Sequence, residues 1–131
     1  ASGQPDHRTL ALMKNALVRA RLTELLGQKK LKPKDQEGLF ITGIFSLLDA
    51  LLNLSMETAL ASLKLPPTIE AALTKREGIY APYLDLAIAC EEAEEQVIAT
   101  YAAVSGISAE EINLAHVQAL VWAEEVDLGK A

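Results

Sequence analysis

The chain has 131 residues, half of them hydrophobic and 23% charged: enough apolar material for one buried core, in the proportions of an ordinary globular domain. Its apolar runs are broken well short of the roughly 18 residues a membrane span requires, and a single cysteine, Cys90, excludes an internal disulfide and a cysteine-based zinc site. The net charge of −6 divides unevenly, since residues 1–34 carry eight basic side chains against two acidic ones and the remainder four against sixteen. A basic segment can meet phosphates or dock on the acidic rest of its own chain. No aromatic residue interrupts the Lys29–Lys34 run, so nucleic acid is disfavoured as a partner. No signal-peptide pattern opens the chain, and a cytoplasmic location with no membrane contact is expected.

Periodicity predicts an all-α bundle of about six helices in one domain spanning residues 1–131. The first is expected from Asp6 or His7 to Leu26, with Asp6 as N-cap and Gly27 as the stop. It has two apolar sides, Met13, Leu17 and Ala20 on one and Val18, Leu22 and Leu25 on the other. A helix of that kind is sandwiched between neighbours, so either absent sequence or a second copy of the chain is expected to cover one side. A polar linker over Gln28–Lys34 contains Pro33.

The second helix, expected over Asp35–Asn53, has an unusual face. In Leu39–Asn53 the polar residues Thr42, Ser46, Asp49 and Asn53 fall in one narrow stripe, which leaves about three quarters of the circumference apolar or small. It reads as the central rod of the core, with Gly43, Ser46 and Ala50 forming a small-residue seam for a close neighbour. Asp49 then has two open readings. It pairs with Arg19 or Arg21, which lie about 160° apart on the first helix so that only one can face it. Alternatively, its stripe faces solvent.

Ser55 is expected to cap a short third helix over Met56–Leu63. Pro66 and Pro67 break the chain before a fourth over Thr68–Arg76, stopped at Gly78. The fifth is expected to be the longest, Pro82–Val104, with the stripe Tyr83, Leu86, Cys90, Ala93, Val97, Tyr101 and Val104. Gly106 ends it. Ser108-Ala-Glu-Glu111 has capping-box spacing and opens the sixth, whose buried face is Ile112, Ala115, Ala119, Trp122 and Val126.

Three segments resemble the C-terminal half of the HDOD ("HD-related output domain") family: Ala16–Leu26, Phe40–Leu52 with Met56 and the Leu63–Pro66 turn, and Tyr83–Ala87 continuing to Ala119–Ala123. The run Phe40-Ile-Thr-Gly-Ile-Phe-Ser-Leu-Leu-Asp-Ala-Leu-Leu52 is similar to the version that follows an EAL domain. The resemblance covers most of Leu10–Glu125. It implies an HD-superfamily-related helical fold, a fragment lacking the family's first half, and a cyclic di-GMP signalling context. It implies as partners an upstream EAL or sensory domain, or a homo-oligomer formed through exposed apolar helix faces. Cys90-Glu-Glu-Ala93 stands where relatives often read Tyr-Glu-Gly, a departure that removes the glycine a bend there would use.

No catalytic, metal or cofactor residues are expected. A working HD phosphohydrolase needs a His-Asp pair with further ligands around a metal. This chain has only His7 and His116, with Asp6-His7 in the reverse order. Asn113 replaces the glutamate that a Glu-x-x-His bundle site would need, so His116 reads as a packed or edge residue. Glu91, Glu92, Glu94 and Glu95 read as a solvated face, and Cys90 as a small buried hydrophobe. The residues singled out for structure or interaction are Arg19, Arg21, Gly43, Ser46, Asp49 and Trp122. The function read from the sequence is a non-catalytic signalling module. The alternative is part of a divergent phosphohydrolase whose metal ligands lie outside this chain.

Overall fold

A computed structural model describes residues 6–126. Those residues are all-helical, with eight helices in chain order: α1 (His7–Gly27), α2 (Pro33–Phe45), α3 (Leu48–Leu52), α4 (Met56–Leu60), α5 (Pro67–Lys75), α6 (Ala81–Glu91), α7 (Glu95–Ser105) and α8 (Ala109–Glu125). The all-α expectation holds. The increase from six comes from two helices that break.

The first break divides the helix expected over Asp35–Asn53. Pro33 starts α2 at its first turn, two residues earlier than expected, because a proline N-terminus lacks only an amide that would be unbonded there anyway. At the other end the Ser46 amide and hydroxyl both turn back to the Gly43 carbonyl, at 3.2 and 2.7 Å. A serine hydroxyl that occupies a carbonyl of the preceding turn competes with the helical ladder, and α2 stops. The chain resumes as α3, which ends at Asn53 in the left-handed conformation (φ 56°).

The second break lies at Glu92–Glu94. There α6 closes with the Glu94 amide donating to the Ala89 carbonyl at 3.0 Å and the Ala93 amide to Cys90 at 3.2 Å. This is the turn that usually places glycine at its left-handed residue. Here Ala93 takes it, at φ 54°. The missing glycine therefore did not remove the bend: the turn's hydrogen bonds and the packing of α7 hold an alanine in a conformation that disfavours a Cβ.

The remaining ends follow their local chemistry. The Asp6 carboxylate accepts from the Thr9 amide at 2.7 Å, and that bond holds its carboxyl below the usual carboxylate range. Ser55 and Ser108 accept from the amides of Thr58 and Glu111, both at 3.1 Å. Gly27 is the last residue of α1 but lacks the positive φ of a glycine stop, and its role is in packing. The Leu39 side chain packs where a Cβ would stand.

The central rod is α1, not the segment from Leu39 to Asn53. It packs on α2, α3, α6 and α8, while Leu52 and Leu54 are exposed. Its two apolar sides serve two neighbourhoods within this chain. Leu22 and Leu26 join Leu86, Cys90, Ile107 and Ile112 in one core cluster, with Val18 and Leu25 against it. On the other side Ala20 is fully buried, and Gly43 explains how closely α2 approaches. A Cβ on Gly43 would lie 2.7 Å from the Ala20 amide nitrogen and the Arg19 carbonyl oxygen. A second cluster, built on Leu39, Leu60, Ile69, Leu73, Tyr80 and Leu84, fills the space among α2, α4, α5 and α6. Thus α6 contributes to both clusters. No helix among the described residues is long and apolar enough to cross a membrane.

Candidate functional site: an arginine junction between helix ends

Both breaks meet one side chain. Arg19, on α1, is 8% exposed, and its guanidinium reaches Glu91 at the end of α6 in a two-pronged pair, Nε to Oε1 and Nη2 to Oε2, each 2.9 Å. Its third nitrogen, Nη1, donates to the Ser46 hydroxyl at 3.3 Å. Ser46 closes α2 and Glu91 is the last residue of α6, so the cation stands at the C-terminal ends of two helices. The helix dipoles favour positive charge at such ends. Planar guanidinium geometry matches a carboxylate with two parallel bonds, which a lysine could not reproduce.

His116, on α8, is half-buried and joins the same neighbourhood. Burial pushes its pKa down from 6.5, and the nearby Glu91 carboxylate opposes that shift. At the turn itself, the hydrogen bond that a protonated Glu92 donates to the Glu94 carboxylate, together with the Glu94 charge, raises the pKa of the fully exposed Glu92. Cys90 is buried between these elements, and burial pushes its thiol up to about 11, so it is protonated and unreactive at neutral pH.

The other residues singled out by sequence lie elsewhere. Arg21 pairs with Glu24 one turn away at 2.6 Å and stands 5.8 Å above the ring of Trp122 on α8. Trp122 meets Phe40 of α2 edge-to-face, with centroids 5.9 Å apart. Those three residues tie α1, α2 and α8 together at the opposite face of α1 from the Arg19 junction. Asp49 pairs with neither arginine: its carboxylate accepts from the Ala50 amide at 2.8 Å in the first turn of α3. The break after Phe45 is the reason. It takes Asp49 out of the helical register that would have aligned it with Ser46, and Glu91, 72 residues from Arg19, takes the place. The solvent-facing reading fails as well. Thr42 and Ser46 are buried, with their hydroxyls bonded to the carbonyls of Gly38 and Gly43 at 2.7 Å each, and only Asn53 is exposed.

Glu91 had no signal in the sequence to separate it from Glu92, Glu94 and Glu95. Only the fold distinguishes the acid that faces α1 from the three that face water. Among the described residues no group of three or more His, Cys, Asp and Glu side chains is arranged to hold a metal ion. Two surface clefts are lined by residues outside the junction. One of about 350 Å³ lies between α6 and α7, lined by Lys30, Tyr83, Leu86, Tyr101 and Val104. The other, about 250 Å³ and almost wholly apolar, runs between α1 and the α2–α3 break past Met13, Leu17, Ile44, Phe45 and Leu48.

No family model and no solved structure matches the chain. It is similar to two curated proteins. One is the uncharacterized protein YuxH of Bacillus subtilis, 35% identical over 75 residues that cover 57% of this chain and 18% of that protein. The other is the cyclic di-GMP phosphodiesterase CdgJ of Vibrio cholerae, 30% identical over 112 residues. Over 86% of its own length the chain is thus similar to 26% of a bacterial cyclic di-GMP phosphodiesterase, spanning about a quarter of the relative it matches most broadly.

Proposed function

We propose that this chain is a non-catalytic output module of a cytoplasmic bacterial cyclic di-GMP regulatory protein, the C-terminal half of an HDOD domain, working through contacts with an adjoining EAL or sensory domain or with a partner protein. The similarity to CdgJ supplies the signalling context. The Arg19 junction carries the non-catalytic part. Its guanidinium takes both oxygens of Glu91 and the Ser46 hydroxyl, so the buried Arg19 and Ser46 bond to one another and to Glu91 instead of converging on a cleft. His116 stands beside that engaged carboxylate, half-buried, in a position suited to packing rather than to ligating a metal.

Incubation of the purified chain with cyclic di-GMP and excess Mg²⁺ or Mn²⁺ checks this directly. No hydrolysis product is expected by chromatography, with or without metal. Metal-dependent turnover that His116→Ala abolishes would overturn the reading and put a phosphohydrolase in its place.

A further inference from the structure

The outer face of α8 carries a pattern that its inner face does not explain. Ile112, Ala115, Ala119 and Ala123 turn inward and are buried. On the opposite side of the helix, Leu114, Val117 and Val121 are 59%, 55% and 54% exposed, with Leu120 beside them at 45%. At 100° per residue these three fall on one line, and Glu110 and Glu125 extend the same line one turn beyond each end. The result is a straight strip about 22 Å long, acid–apolar–apolar–apolar–acid. Solvent exposure of three aligned aliphatic side chains on a helix that already has a complete core face is the mark of a docking surface.

The acids decide what can lie there. A second copy using the same strip, parallel or antiparallel, sets glutamate against glutamate at both ends. Such like-charge placement selects against self-pairing. Among the described residues, the other acids near the helix ends are already engaged by α1 and the turn that follows it: Glu124 with Lys14 at 2.7 Å and Glu111 with Lys29 at 3.8 Å. They leave Glu110 and Glu125 as the pair that faces outward. We propose that this strip binds an amphipathic helix of a separate polypeptide, one whose apolar stripe is bracketed by lysine or arginine. The mode is helix packing with charge complementarity at the two ends. This proposal rests on the reading of the chain as a module that acts through protein contacts.

Two synthetic helical peptides test it against the full 131-residue chain by fluorescence anisotropy. Both carry three leucines at the spacing of Leu114, Val117 and Val121; one has lysines and the other glutamates one turn beyond each end. The lysine peptide is expected to bind about tenfold or more tightly than the glutamate peptide, with affinity that falls as salt rises. Val117→Asp is expected to abolish binding while leaving the circular dichroism melt unchanged, since the side chain is exposed. The Glu110→Lys/Glu125→Lys double variant is expected to reverse the preference between the peptides. Equal binding of the two peptides, binding of neither, or binding that survives Val117→Asp would each overturn the proposal. So would sedimentation that shows a dimer which Val117→Asp dissociates, because the occupant would then be a second copy. Failure here leaves the hydrolysis result untouched, so the two readings fail separately.

Discussion

At the scale of single residues, the chain's buried polar bonding is concentrated at Arg19. The pair with Glu91 is sheltered on the arginine side, 10% exposed, and more open on the carboxylate side, at 29%. Removing the cation leaves a carboxylate that can still reach water, whereas removing the carboxylate's charge strands a buried guanidinium. Arg19→Met is therefore expected to destabilise the chain by about 2 kcal/mol, and Glu91→Gln by at least as much, in urea unfolding followed by circular dichroism. Asp49→Asn is the contrasting case. The asparagine amide keeps an oxygen that can accept from the Ala50 amide, and the change is expected to stay within about 0.5 kcal/mol. A larger loss there than at Arg19 would mean that Asp49, not Glu91, is the arginine's partner.

At the scale of helices, the two interruptions set the architecture. An unbroken α2–α3 rod would carry Leu52 and Leu54 away along its axis. The stop at Ser46 lets α3 turn onto α1, with α4 packed against it. The α6–α7 turn similarly folds α7 back over α6, although no residue of α7 is fully buried. Ala93 is held left-handed at φ 54° in that turn, where an L side chain costs about 1–2 kcal/mol and glycine costs little. Glycine also gives the unfolded chain more freedom, which offsets part of the gain. Ala93→Gly is expected to stabilise the protein by about 0.5–1 kcal/mol. A melting temperature that falls instead would show that the strain is already relieved by neighbouring geometry. Helix existence was legible from the 3.6-residue period and from the caps at Asp6, Ser55 and Ser108. The breaks were not, because nothing local marks Ser46 or Ala93 as a terminator: each stop depends on which carbonyl a side chain or amide reaches after the neighbours have docked.

At the scale of the whole molecule, α6 joins two core clusters and α1 supports the bundle around it, so a titration at their shared junction is felt as global stability. His116 is the group placed to report it. Its pKa is depressed below 6.5 in the folded state by burial, so the unfolded chain takes up its proton first as pH falls. Stability from this group is intact above pH 6.5 and is lost as pH drops from there through the folded-state pKa. His116→Gln is expected to flatten the melting-temperature profile over that window and leave it unchanged at about pH 8. A slope that persists in the variant would assign the effect to other groups. The partner surface also belongs to this scale. Of the two apolar sides of α1, the one carrying Leu22 is packed within the chain, while Met13 and Leu17 on the other stay half-buried along an open apolar cleft, and a further exposed apolar strip lies on α8.

The all-helical class, the positions of most helix starts, the inward Ile112, Ala115 and Ala119 of α8 and the closeness of α2 at Gly43 are all written in the order of the amino acids, whereas Trp122 is only half-buried and Val126 lies past the end of α8, with Ala123 in the buried position. Each of the former follows from residue period, capping chemistry or side-chain size, which act within a few residues along the chain. The resemblance of Phe40–Leu52 to a signalling family was likewise read from sequence alone. Packing in three dimensions settled which helix is central, where two helices stop, and that Arg19 bonds to Glu91 rather than to Asp49. It also settled that Leu114, Val117 and Val121 face water. Those outcomes turn on contacts between segments 72 residues apart and more, which depend on how whole helices pack and which no local pattern encodes.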